Sequence, residues 1–197
     1  SDFPMAGTPF QAVHNGGPTF TENGLTFPSS DIFVLKMNAT GTALVNSTFI
    51  GGSGTDGINR GTLYFNYGDQ FRGDIALDQA GNVYVASTSA SADFPIVNGF
   101  QSNLSGPQDA VVFKLNASLS TMIWSSYFGG PGHETGNSIQ IAPSGDVYIA
   151  GGSTSLTLNF PSGVSQSNIG GISDGYVVRI NGSTPAILSG TFIGTNE

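Results

Sequence analysis

The sequence contains no cysteine, so neither a disulfide framework nor thiolate chemistry is open to it. Its cations are only five, Lys36, Arg60, Arg72, Lys114 and Arg179, against 13 Asp and Glu, for a net charge of −8. Five cations scattered along 197 residues cannot line a phosphate-binding face. Nucleic acid is therefore excluded as a partner, and an anionic membrane surface is disfavoured for the same reason. Charged residues make up 9% of the chain, far below the roughly 25% of ordinary soluble proteins. No apolar run approaches the roughly 18 residues of a membrane span, and no signal-peptide pattern is visible. The chain opens on Ser1-Asp2-Phe3-Pro4, which reads as a mature or trimmed product. No window of 11 or more residues keeps a 3.6-residue apolar period, so helices are not expected.

What is there is apolar and small-polar. Hydrophobic residues are 38% of the chain, enough for a core, and Gly accounts for 29 positions. A surface of hydroxyls and amides with little charge points to an extracellular or cell-surface setting.

Internal similarity is the strongest signal. An Asp followed by an apolar run and a basic residue appears at Asp31–Asn38, Asp109–Asn116 and Asp174–Asn181. A small residue, two large apolar ones and Gly follow at Thr48–Gly51, Ser126–Gly129 and Thr191–Gly194, at a constant offset. A hairpin pattern precedes two of these copies. One is Asp74–Asp78, a turn at Gln79-Ala80-Gly81, and Asn82–Thr88; the other is Ser138–Ala142, a turn at Pro143-Ser144-Gly145, and Asp146–Ala150. A Phe-Pro closes the unit at Phe94-Pro95 and Phe160-Pro161, with a copy at Phe3-Pro4. Short runs rich in Val, Ile, Phe and Tyr between Gly turns read as strands, four to a repeat. Most carry large apolar residues on both faces, as strands sandwiched between two layers do. Spacing differences locate two insertions in the first unit, at about 15–30 and 58–71.

The order Asp-x-Phe-Val-x-Lys, Ser-Tyr-Phe-Gly-Gly, Ser-Gly-Asp-Val-Tyr-Ile-Ala-Gly, Asp-Phe-Pro resembles the SBBP-type β-propeller repeat of secreted and cell-surface bacterial and archaeal proteins. The resemblance implies an all-β chain of four-stranded antiparallel propeller-type blades packed face to face, and it implies no particular reaction. Two blades are complete, at 73–130 and 131–197, and residues 1–72 form a partial blade with the two insertions. A closed ring needs at least about four blades, so this chain does not close one alone. Its exposed edges call for a partner: further copies joined head to tail or by strand donation, or adjacent blades of a larger chain.

Candidate sites are few. Gly51–Asp56 matches one unit of a calcium-binding glycine-rich repeat, with Asp56 as ligand, but no tandem unit follows; a connecting loop is the plainer reading. Asp31, Asp109 and Asp174 open equivalent strands, either as a ring of carboxylates or as caps on the preceding turn. His14 and His133 lie in Gly-rich loops without metal-ligand spacing, and no nucleophile elbow is present. Asn38, Asn46, Asn103, Asn116 and Asn181 are glycosylation sequons, three of them at one repeat position. Trp124, Tyr127 and Phe128 read as inter-blade core or as a sugar platform. Leu63, Tyr64, Phe65 and Tyr67, inside an insertion, are partner-contact candidates. The expectation is a non-catalytic structural or adhesive repeat protein, a filament subunit being one form, without cofactor. A carbohydrate-binding module that meets surface glycans is the alternative, and a propeller-type lyase or hydrolase a poor third.

Overall fold

A computed structural model describes residues 3–22, 24–60, 63 and 69–195. The chain is all-β, with twelve strands, one 3₁₀ turn at Asp69–Phe71 and no α-helix among the described residues. The strands form four antiparallel sheets, none of them closed. A small hairpin pairs β1 (Phe20–Glu22) with β2 (Leu25–Phe27). A two-stranded sheet pairs β3 (Ile32–Met37) with β4 (Leu44–Ile50). Two four-stranded meanders follow. One runs β5 (Asp74–Leu77), β6 (Val83–Ser89), β7 (Asp109–Leu115), β8 (Met122–Phe128); the other runs β9 (Ser138–Ile141), β10 (Val147–Ser153), β11 (Asp174–Ile180), β12 (Ile187–Ile193).

Local chemistry explains the turns. Gly81 and Gly145 close the β5–β6 and β9–β10 hairpins at φ of 78° and 86°, which a side chain rarely adopts. Asn38, Asn116 and Asn181 follow β3, β7 and β11, and each side-chain oxygen accepts backbone N–H groups of the next turn: Thr42 and Ala43, Ser120 and Thr121, Ser183 and Thr184. That Asx geometry fixes the hairpin connection. Just before it, at Lys36, Lys114 and Arg179, each ladder shifts register by a bulge.

The sheets pack in series. Ile32, Val34 and Ile50 of the two-stranded sheet meet Val83, Val85, Val111, Phe113, Leu115 and Tyr127. The opposite face of the first meander, with Tyr84, Ala86, Val112, Trp124 and Phe128, meets Ile139, Ile149, Tyr176, Val178 and Phe192 of the second. Strand β7 is thus apolar and buried on both faces, as sandwiched strands should be. The outer strands differ: β3 and β11 alternate buried with exposed or half-exposed positions, because each outer sheet has a neighbour on one side only.

Candidate functional site

The repeat builds one polar junction three times, and a glutamine organises it. Gln11, Gln101 and Gln166 each lie beside the last strand of a sheet, and their carbonyls accept from Phe49, Tyr127 and Phe192. Their own N–H groups donate to Thr48 Oγ1, Ser126 Oγ and Thr191 Oγ1, at 2.9 Å in all three cases. Each side-chain amide then donates to the Asp that opens the third strand: to Asp31 at 2.8 Å, Asp109 at 2.7 Å and Asp174 at 3.1 Å. Those carboxylates also accept backbone N–H groups of the preceding segment, from Asn15, from Ser105 and Gly106, and from Gly170. The three Asp residues therefore pin loops to strands.

A second buried acid completes two junctions. Asp56 accepts from Gly52 N, Ser91 Oγ and Ser89 Oγ. Glu134 accepts from Gly130 N and Ser153 Oγ, each at 2.7 Å. Gly51 and Gly129 separate the acids of each pair. A Cβ at Gly129 would come within 2.6 Å of both Asp109 and Glu134, so the repeat's glycine is dictated by close approach. Burial pushes Asp56 up to about 6 against its three donors, with the Asp31 charge adding to the rise. Burial likewise lifts Asp109 to about 6, assisted by Glu134 and opposed by Ser105, Gly106 and Gln101. Asp31 is also raised, chiefly by burial.

These positions place the residues singled out in the sequence. Asp56, the calcium candidate, is fully buried with both carboxylate oxygens occupied by protein donors. Among the described residues, no group of three or more His, Asp or Glu is placed to hold a metal ion. Both histidines are half-buried in their loops. His14 sits edge-on to Phe49 with Nε2 3.9 Å from Asp31, and His133 Nδ1 is buried. Asn103 is exposed, whereas Asn46 lies half-buried in β4, and Asn38, Asn116 and Asn181 are occupied in the turns already described. Trp124, Tyr127 and Phe128 are core, and the Trp124 indole N–H donates to Gly182 O at 3.0 Å. Leu63 is buried near Gly152 of β10, so it serves the chain's own sheet; Tyr64, Phe65 and Tyr67 lie outside the described residues. The glutamines were missed in the sequence, although Gln101 and Gln166 each stand eight residues before their Asp.

An apolar opening lies where the described residues of the two-stranded sheet leave part of the first meander uncovered. It is a groove of about 520 Å³ lined by Ile32, Val34, Phe71, Ile75 and Val85, with Asp31 and Asp56 at its rim. Strand β3 pairs with β4 on one edge and with no other strand among the described residues. Ile75 and Leu77 on β5 are 55% and 64% exposed. Compared with known proteins, the chain matches no family model and no curated protein.

Proposed function

We propose that the chain is a non-catalytic structural or adhesive repeat protein of the extracellular space or cell surface. Each four-stranded meander is a propeller-type blade and the β3–β4 sheet part of another, and further blades or copies continue the stack. The observation that supports this reading is the uncovered apolar sheet surface at β3 and β5. Exposed edges and faces of this kind are ordinarily met by other polypeptide. The junctions fit a scaffold role, since their acids are engaged by N–H and hydroxyl donors of the same chain. The sequons, above all exposed Asn103, fit glycan attachment in such a setting.

Negative-stain electron microscopy and native mass of the purified chain at neutral pH test this. Filaments or ordered oligomers are expected. A population of compact monomers alone overturns the assembly reading, and retention on a glycan array without assembly favours a carbohydrate-binding module instead.

A further inference from the structure

The two meanders show what is absent beside β3. Ile75 and Ile139 hold the same repeat position, yet Ile75 is 55% exposed and Ile139 is 1% exposed. The difference is the neighbour. Ile139 packs on Ala76, Tyr84 and Ala86 of the β5–β6 hairpin, and Ser138 Oγ and Ile139 N both donate to Asp74 Oδ2. Ile75 and Leu77 face the side where, among the described residues, the two-stranded sheet has no corresponding hairpin. The series of packed interfaces therefore continues, apolar, into the groove.

Charge repeats with the same logic. In the first meander Lys114 lies 3.3 Å from Asp78 and 4.6 Å from the centre of the Tyr84 ring. In the second, Arg179 bonds Asp146 and lies 6.0 Å from the centre of the Tyr148 ring. Each basic residue of a third strand thus meets a carboxylate and a tyrosine from its sheet's first hairpin. Lys36 is the equivalent residue of β3, and it reaches Ala117 O of the neighbouring sheet, at 3.0 Å, at an exposed site.

We propose that the groove beside β3 binds an antiparallel β-hairpin of the repeat's own first-hairpin type, donated by another polypeptide segment. Its inner strand carries alternating apolar residues onto Ile75 and Leu77. Its turn carries an Asp, and its second strand, of the Val-Tyr-Val kind, pairs with β3 in the register that β6 keeps on β7. There Ser89 lies opposite Asp109 and Val83 opposite Leu115, which map onto Asp31 and Met37. The Asp and the Tyr then complete Lys36. This rests on the reading of the chain as a stack of repeated sheets and names the partner of its open end.

The probe is a synthetic peptide of residues 73–90, added to the full chain and read by hydrogen exchange at the amides of β3. Exchange at 32–37 is expected to slow at least about tenfold. Lys36→Glu in the chain should weaken the peptide roughly fivefold, and Asp78→Lys in the peptide should recover the loss. Three outcomes overturn the proposal. One is β3 exchange unchanged at saturating peptide. Another is β3 already protected in the dilute chain, which assigns the groove to its own residues. The third is β3 protected only as chain concentration rises and unaffected by the peptide, which assigns the groove to a packed face of a second copy and not to a hairpin. Peptide capture without filaments keeps this inference while removing the filament form of the proposed function.

Discussion

Gln101 bridges elements that share no ladder. Its amide donates to Asp109, to Asn103 O and to Ser105 Oγ, and its Oε1 accepts Gly129 N at 3.0 Å. Gln101→Ala should cost about 2 kcal/mol in urea unfolding, because it strips a donor from one buried carboxylate and orphans a backbone N–H. An unchanged midpoint would show that water replaces the amide. The acids it serves give stability a pH signature. Asp56 and Asp109 ionise near 3.8 when unfolded and near 6 when folded. Their folded-state pKa values are raised, so the unfolded chain releases these protons first. Between pH 4 and 6 each costs stability as pH rises, and the loss is complete above the folded value. The opposite sign comes from Asp93, held low by the Ser53 N–H, and from Asp146, held low by Arg179; both act only below the ordinary carboxylate range. The thermal midpoint should therefore fall from pH 4.5 to pH 7.5, and Asp56→Asn should flatten that fall. A midpoint that climbs across the interval contradicts the assignment.

Strand by strand, burial follows the number of neighbouring sheets, and mutational cost should follow burial. Ile139→Ala should lose about 3 kcal/mol and leave a cavity, whereas Ile75→Ala at the same repeat position should stay within about 0.5 kcal/mol. Equal losses in chemical denaturation would mean that Ile75 is covered in solution. This contrast marks what was legible in the sequence. Apolar runs separated by Gly turns gave the strands of both meanders, because a sandwiched strand such as β7 needs bulk on each face. The same pattern could not tell Ile75 from Ile139, since exposure depends on whether a neighbour exists and not on the strand's own residues. The β1–β2 hairpin escaped notice inside an insertion. Its three-residue strands depend on Phe20 stacking on Phe27, with Arg60 over the Phe20 ring, contacts that leave no period. Asp31, Asp109 and Asp174 were visible as a repeated set, but their partners were not. A carboxylate accepting loop N–H groups and one awaiting a cation look alike until the loop is placed. The glutamine that settles the matter lies eight residues upstream in two copies and twenty in the third, where an insertion intervenes.

Across the molecule, stability should be graded from the middle outward. Strand β7 has sheet neighbours on both faces and ladders on both edges, while β3 and β4 stand as a pair, and two strands alone are marginal in water. The far end is also uncovered: Tyr148 on β10 is 37% exposed where Tyr84, its counterpart on β6, is 3% exposed. The two ends are thus unlike, one an apolar groove with a lysine, the other a sheet face with Tyr148 and Leu188 partly exposed and Arg179 bonded to Asp146. Unlike ends joining copy to copy make a heterologous contact, which closes a ring or extends without limit according to its rotation. Such a contact binds the folded chain and not the unfolded one, so it adds stability by mass action. At a concentration about 100-fold above the dissociation constant the gain is ~2.7 kcal/mol, or roughly 5–10 °C for a chain of this size. The thermal midpoint of the intact chain should therefore rise with protein concentration, and the paired change Ile75→Lys and Leu77→Lys should abolish the rise while leaving the dilute midpoint nearly unchanged. A midpoint independent of concentration over two decades would mean that copies do not meet at these ends, and that whatever covers Ile75 and Leu77 is a different polypeptide.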